Sequence, residues 1–469
     1  MISVKKFLKS AGTYFLGNVM TRLISFFLLP IYTNLLPPED LGHFNNATSY
    51  LNIVVPVVCL EVWAAVMRFL CDHEDEEGKD RVIFNGFFLF SAGVLVYVLG
   101  FAILGFVTDL RCLVLICLYG IGLMLQNLYS YLARGKGFNQ AYALSGIVNM
   151  LVNSVSNIVM ILVFHMRLES LYLSMTLGLF VQFLMLEGRV HAFRAIRPRF
   201  FDKQLIGQMV RFGLPLCLNT VCYWGLSGFN IAAISVTLGL ETSGIYSVAG
   251  KFTMMVAIFA NCFSLAWQET VYSVGNEKEN KAQLYSTVCN WCISLLLFAI
   301  LLIVPAVKLV FPIMVGKDYS AAAQLIPLYM FATGISTFSG FLGNIFGAEK
   351  KTGSLFYTTL VAAIFNIGCY LLLYKSMGLH AANIGLSTGY VINIALRIYE
   401  LKKLFPEVKL FYGRILLLLA LHVPVFWIYD SQPIWINVLT AAIIFLVMLF
   451  VFRKDILGFV QKLKANKAE

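Results

Sequence analysis

Long apolar stretches separated by short polar connections dominate the pattern along the chain. A bilayer core of about 30 Å is crossed by a helix of about 20 mostly apolar residues. Fourteen stretches reach that length: 10–35, 41–70, 82–107, 111–133, 139–164, 168–187, 207–235, 243–271, 284–310, 320–346, 353–375, 379–400, 411–429 and 433–452. The connections leave no room for a soluble domain. The pattern therefore predicts an all-α polytopic membrane protein with about 14 transmembrane helices.

The overall composition indicates the same environment. Hydrophobic residues make up 59% of the chain, charged residues 13%, and the mean hydropathy is +0.81. Soluble domains carry roughly 25% charged residues, so this composition excludes an ordinary soluble protein.

The net charge of +11 reflects orientation in the membrane. Most Lys and Arg residues fall in alternate connections, above all in the longest one, 188–206. Basic residues in short loops mark the cytoplasmic side, so both termini are expected in the cytoplasm and no nucleic-acid partner is expected. Lys5, Lys6 and Lys9 resemble the start of a signal peptide, but the apolar run that follows is too long for one and is expected to remain as the first span.

An internal repeat divides the chain. Residues 238–252 echo residues 36–50, with Glu241 on Glu39 and Gly244 on Gly42 at a separation of 202. Internal repeats of this kind are common in transporters. The expected domains are a six-helix lobe at 1–188, a basic cytoplasmic linker at 189–206, a second six-helix lobe at 207–403, and a final helix pair with a basic tail at 404–469.

Motifs for catalysis and for cofactors are missing from the sequence. It contains no Walker A motif, no H-E-x-x-H and no G-x-S-x-G. Cys289 and Cys292 are spaced as C-x-x-C, but they open an apolar span, where cysteine packs as a small hydrophobe. We therefore expect neither an enzyme, nor a metal site, nor a bound cofactor.

Ionisable residues inside spans are the candidate functional groups, because they are costly in hydrocarbon and normally face a cavity or a partner. Arg22 lies near the middle of the first span and shares a face with Asn18. It either pairs between helices or binds substrate in a cavity. Arg68 in the second span either contributes to that site or extends to the interface. Glu61 needs a proton, a cation or an arginine partner.

The eighth span carries Lys251 and Glu269, five turns apart on one stripe. Glu269 lies within a residue of the repeat position of Arg68, which suggests that the two side chains pair. Trp224 takes the repeat position of Arg22, and Trp267 precedes Glu269 by two residues. Indole rings stack on sugars, although packing is their commoner role in membrane proteins.

Two segments carry a resemblance to a known family. Residues 24–44, ISFFLLPIYTNLLPPEDLGHF, and residues 238–252, LGLETSGIYSVAGKF, resemble signatures of the bacterial polysaccharide transporter family. This is the O-antigen, capsule and teichoic-acid flippase branch of the multidrug/oligosaccharidyl-lipid/polysaccharide exporter superfamily. The resemblance extends over essentially the whole chain. One departure is Gly228-Phe229, where members often carry an Asp-Arg pair.

The resemblance implies two pseudo-twofold six-helix lobes around a central cavity, with the C-terminal helix pair outside. It implies a flippase that moves a polyprenyl-pyrophosphate-linked oligosaccharide to the outer leaflet of the bacterial cytoplasmic membrane, for cell-surface polysaccharide biosynthesis. Arg22, Arg68, Lys251, Asn18, Trp224 and Trp267 are the expected substrate-binding residues. Glu61 and Glu269 are the expected residues for ion coupling or ion pairing, with Na⁺, H⁺ or the membrane potential as energy source. A polysaccharide polymerase or glycosyltransferases are the expected protein partners.

Two other functions remain open from the sequence. An ion-coupled antiporter of drugs or cationic metabolites would share the architecture, but it would favour buried carboxylates over buried basic residues. A non-transporting membrane scaffold of a glycan-assembly complex fits the composition but leaves the buried charges unexplained.

Overall fold

The computed structural model describes residues 26–73, 75–273, 278–349 and 351–465, and these residues contain sixteen α-helices and no β-strand. The helices are α1 (Leu29–Leu35), α2 (Pro38–Val58), α3 (Val62–Leu70), α4 (Glu76–Val107), α5 (Leu113–Gly135), α6 (Asn139–Leu162), α7 (Leu168–Val190), α8 (Lys203–Ser227), α9 (Phe229–Thr237), α10 (Leu240–Ser273), α11 (Lys278–Met314), α12 (Ala322–Ala348), α13 (Thr352–Met377), α14 (His380–Leu404), α15 (Tyr412–Ser431) and α16 (Ile434–Ala465). The all-α fold predicted from the apolar pattern is confirmed.

The membrane assignment is also confirmed. Ten helices of the described residues are long and apolar enough to cross a bilayer, and α2 with α3 makes an eleventh if this bent pair is one span. The protein is therefore a multi-pass membrane protein. Of the other predicted spans, 10–35 lies largely outside the described residues, 243–271 lies in α10, and 379–400 lies in α14.

Local sequence signals set where several helices begin. Helix α2 begins behind Pro37, with Glu39 and Asp40 in its first turn, where carboxylates interact favourably with the helix dipole. The carboxylate of Asp75 caps α4 by accepting from the backbone N–H of Gly78 at 2.7 Å. This hydrogen bond lowers the pKa of the Asp75 carboxyl. Asp202 caps α8 in the same manner.

The chain forms two compact units, and the division falls between Ser247 and Val248, inside α10. In the first unit α7 packs against both α5 and α6. In the second unit α14 packs against both α12 and α13, and α11 against α12, α15 and α16. The predicted lobes, linker and central cavity were drawn from the repeat and the family resemblance, and they stay predictions.

The two copies of the repeated motif meet inside the first unit, at the beginnings of α2 and α10. A Cβ atom placed on Gly42 would lie 1.8 Å from the carbonyl oxygen of Leu240, and one on Gly244 would lie 1.9 Å from that of Pro38. Leu240 and Pro38 are themselves equivalent in the repeat, so the contact is reciprocal. Only glycine fits at either position without a shift of the backbone.

Candidate functional site

The second span is broken towards its C-terminal end. Helices α2 and α3 are inclined by 51° to each other. Leu60 and Glu61, which join them, have φ angles of 51° and 50°, in the left-handed region that non-glycine residues seldom adopt. The N–H of Glu61 donates to the carbonyl of Pro56 at 3.0 Å, five residues back. Broken helices of this kind supply polar backbone to sites inside transporters.

Helix α8 passes directly against this break. A Cβ atom on Gly213 would lie 2.0 Å from the carbonyl oxygen of Leu60, so the backbones touch. One turn further on, the thiol of Cys217 donates to the carbonyl of Pro56 at 3.7 Å. The break is therefore held by a specific partner helix.

Glu61 receives a hydrogen bond from that same helix. The Thr220 hydroxyl donates to Glu61 Oε1 at 2.8 Å. Glu61 is half-buried, and Tyr131 of α5 is close enough to interact with it electrostatically. The sequence predicted a proton, a cation or an arginine as the partner of Glu61, and the partner described is a hydroxyl group. Within the described parts of the chain, no basic side chain forms an ion pair with Glu61.

Arg68 lies apart from Glu61, although both belong to the second span. It is exposed at the end of α3 and pairs with Asp72, one turn further along the chain. Its predicted pairing with Glu269 stays untested, because the side chain of Glu269 is outside the described residues. Arg22 and Asn18 are also outside them.

Trp224 links α8 to α2. Its indole N–H donates to the carbonyl of Ser49 at 2.8 Å, and the Ser49 hydroxyl donates to the carbonyl of Gly228 at 2.7 Å. The ring of Tyr50 lies 6.3 Å from that of Trp224, and Tyr50 is exposed. Gly228 is thus tied to α2 through its backbone carbonyl.

The second unit contains the other two predicted binding residues that the structure describes. Lys251 of α10 is half-buried, and within the described parts of the chain it has neither a hydrogen-bonding partner nor an ion pair. Trp267 is buried, stacks on Phe341 at 4.5 Å and donates its N–H to the carbonyl of Phe341 at 3.1 Å. This environment matches the packing alternative for Trp267, and sugar contact by this ring stays a prediction.

Arg397, a buried arginine within the predicted span 379–400, was not singled out from the sequence. It is fully buried in α14, where it donates to the carbonyl of Ser339 and, at 3.0–3.3 Å, to the hydroxyls of Ser339, Thr358 and Thr359. Asn393, one turn earlier, accepts from the Ser339 hydroxyl at 2.7 Å. Asn393 and Arg397 share a helix face at i and i+4, which was the available signal.

A sequence comparison places the protein in a family. Residues 7–267, more than half of the chain, match the sequence model of a family described as polysaccharide biosynthesis protein. The chain belongs to this family. No curated protein matches it.

Solved structures similar to this member of the family include transporters and a flippase. The lipid II flippase MurJ, in an inward closed conformation, superposes with a TM-score of 0.74 at 12% identity, over 94% of this chain and 99% of MurJ. An inward-facing multidrug resistance MATE family transporter of the MOP superfamily superposes with a TM-score of 0.69 at 14% identity, over 83% of this chain and 98% of the transporter. A transporter with the same description in its outward-facing conformation superposes with a TM-score of 0.55 at 15% identity, over 84% of this chain and 95% of the transporter. At such identities the likeness shows a shared fold.

Proposed function

We propose that this protein moves a polyprenyl-pyrophosphate-linked oligosaccharide from the inner to the outer leaflet of the bacterial cytoplasmic membrane by alternating access. The observation that carries the proposal is the combination of membership in a polysaccharide biosynthesis family with a fold shared by a lipid II flippase over 94% of the chain. A biosynthetic protein without catalytic motifs, built from membrane-spanning helices, is suited to translocating an intermediate of the pathway.

The anionic part of this cargo requires basic groups away from bulk water. Lys251 supports the proposal, since a half-buried lysine without a partner among the described residues is suited to bind a pyrophosphate. Arg22 is the second proposed contact, and Asn18, four residues earlier in the sequence, is proposed to act with it. Arg68, exposed beside Asp72, would meet the headgroup at the cytoplasmic entrance.

The sugar part of the cargo requires aromatic faces and hydrogen-bonding groups. The neighbouring rings of Trp224 and exposed Tyr50 are the proposed stacking surface. Because the indole N–H is engaged by Ser49, its ring is held in a fixed orientation. The entropic cost of binding is lower when such a surface is already ordered.

The broken second span supports a conformational cycle coupled to an ion. Glu61 lies at the break, and its described side-chain partner is the uncharged hydroxyl of Thr220. Binding of a proton or Na⁺ by its carboxylate would therefore change the charge at the bend. Glu269 is the corresponding proposal in the second unit. Glycosyltransferases or a polysaccharide polymerase are the proposed partners, acting before and after translocation.

The test uses purified protein in liposomes that carry a fluorescent polyprenyl-pyrophosphate oligosaccharide. Loss of label from the inner leaflet is followed with and without an imposed ion gradient. We expect wild-type protein to move the label, and Lys251→Met and Arg22→Ala to reduce the rate strongly. The exposed Lys317→Met is the matched control, with wild-type rates expected. Gradient-driven export of a cationic dye without lipid movement would show that the protein is an antiporter and not a flippase. If the protein shows neither activity, the result would favour the scaffold.

A further inference from the structure

A cavity of about 420 Å³ lies in the first unit, apart from the break in the second span. It is bounded by α2, by the end of α4, by the beginning of α5 and by Leu240. Its walls are almost entirely hydrocarbon, contributed by side chains such as Leu51, Val54 and Leu104. Small-molecule sites in proteins have volumes of about 300–1,000 Å³, so this cavity is large enough for a ligand.

Three polar residues of α2 line the cavity from one face of the helix, His43, Asn46 and Tyr50. His43 Nδ1 is 3.0 Å from the Tyr172 hydroxyl. The side-chain oxygen of Asn46 is buried and has no hydrogen-bonding partner among the described residues. A buried acceptor without a donor is costly, and such groups usually mark a site that a ligand or water completes. The apolar walls disfavour water, so Asn46 indicates a ligand that carries an N–H or O–H group.

Charges of both signs lie next to this polar side. Asp40, one turn before His43, is buried and lies 3.6 Å from Arg111, whose side chain is 56% exposed. Asp40 precedes the cavity-lining His43 by three residues in α2, and Arg111 lies between Leu110 and Leu113, which also line the cavity, so both charges lie beside it. Arg111 thus has donors left for an anionic group at the surface.

The cavity reaches the protein surface beside exposed apolar residues. Leu110 lines it and is 45% exposed, while the neighbouring Phe106 and Val107 are 92% and 75% exposed. Phe106 and Val107 end α4, one of the helices that are apolar enough to span the membrane. A hydrocarbon chain can therefore enter directly from the bilayer.

We propose that this cavity binds a bilayer phospholipid with an ethanolamine headgroup. The acyl chain occupies the apolar walls, the ammonium group donates to Asn46 Oδ1, and the phosphate lies on Arg111. This combination of an N–H donor, an anion and a long apolar chain satisfies each feature of the site. A choline headgroup has the same charges but no N–H donor. The cavity adjoins the surface proposed for the sugar of the cargo, since Tyr50 lines the cavity and belongs to that surface.

The experiment uses the full-length protein in liposomes that contain phosphatidylethanolamine or phosphatidylcholine with the same diazirine-bearing acyl chain. Photolabelled peptides are mapped by mass spectrometry. We expect labelling of residues 43–54 and 101–113, with a preference for ethanolamine of about three- to tenfold, the ratio that one hydrogen bond supplies. Asn46→Leu should make labelling by the two lipids equal, because leucine has a similar size but no hydrogen-bond acceptor.

A second variant tests the cavity itself. Ala47 lines it, and Ala47→Phe should fill it and remove the labelling. Ala102→Phe, on the exposed face of α4, is the matched control and should keep it. Equal labelling by both lipids in the wild type would overturn the proposal, as would labelling that persists in Ala47→Phe. Displacement of the probe by a polyprenyl phosphate, but not by phosphatidylethanolamine, would assign the cavity to the cargo instead. If Ala47→Phe does not fold, the lipid preference of the wild type and Asn46→Leu decide.

Discussion

Asn290 in the second unit forms the same set of hydrogen bonds as Asn85 in the first. Asn85 donates to the carbonyl of Phe200 and accepts from the N–H of Asp202, at 2.8 and 2.9 Å. Asn290 donates to the carbonyl of Lys409 and accepts from the N–H of Phe411, at 2.8 and 2.7 Å. Each asparagine also donates to the carbonyl four residues earlier in its own helix. The pair lies 205 residues apart, close to the offset of the repeated motif.

Each asparagine therefore holds a segment that is distant in the sequence in place by hydrogen bonds. In the first unit this segment precedes α8, and in the second unit it precedes α15. We expect Asn85→Ala to lower the free energy of unfolding by about 1–3 kcal/mol, because it leaves two backbone groups without their partner. Asn290→Ala should have a similar effect. The midpoint of thermal unfolding in detergent measures both. Asn139→Ala, at an exposed position, is the control, and an equal loss in the control would contradict a specific role.

The repeat explains how much the sequence revealed. The apolar pattern predicted the helices well, because crossing the membrane imposes one length and one composition. The matches of Glu39 with Glu241 and of Gly42 with Gly244 predicted duplication. The role of Asn85 and Asn290 was not predictable, since their partners lie more than a hundred residues away and are backbone groups, which leave no signal in side-chain type.

The candidate site was predicted in part. Glu61 stood out because a carboxylate is rare in an apolar span, but its partner Thr220 did not, since hydroxyl groups are common in such helices. Arg397 was not singled out, because charge alone does not reveal burial. The partners described for it include hydroxyls and a carbonyl, which are uncharged and give no signal in the sequence.

The reciprocal glycine contact gives a second prediction. We expect Gly42→Ala and Gly244→Ala each to destabilise the protein by about 1–3 kcal/mol, the usual cost of overpacking, because each Cβ would overlap a carbonyl oxygen. The same replacements should slow cargo movement, since the beginnings of α2 and α10 can no longer approach. Thermal unfolding and the liposome assay measure the two effects.

Gly100 provides the control for these substitutions. It lies in α4, and a Cβ atom placed on it would have no neighbouring atom within 4 Å, so Gly100→Ala should raise stability slightly through helix propensity. Unchanged stability in both Gly42→Ala and Gly244→Ala would show that the contact yields easily, and the prediction would be wrong.

The network around Arg397 gives a third prediction. We expect Arg397→Lys to cost about 1.5–3 kcal/mol of stability, because an ammonium group cannot reach the hydroxyls of Thr358 and Thr359 and the carbonyl of Ser339 together. Arg194→Lys, at an exposed position, should have no measurable effect. Thermal unfolding compares the two, and a stable Arg397→Lys would mean that charge alone suffices.

The pair of Glu61 and Thr220 gives the prediction that bears most directly on mechanism. Glu61→Gln keeps an oxygen that can accept from Thr220 but removes the charge, whereas Thr220→Val keeps the charge and removes the donor. If Glu61 couples movement to an ion, Glu61→Gln should abolish the stimulation of cargo movement by an ion gradient, while movement without a gradient persists. Thr220→Val should retain stimulation, with a shift of about tenfold at most in the ion concentration required, because a lost hydrogen bond changes affinity by no more than that. The gradient-dependent rate in liposomes separates the two variants. Retained stimulation in Glu61→Gln, with the protein folded, would exclude Glu61 as the coupling group and leave Glu269 as the candidate.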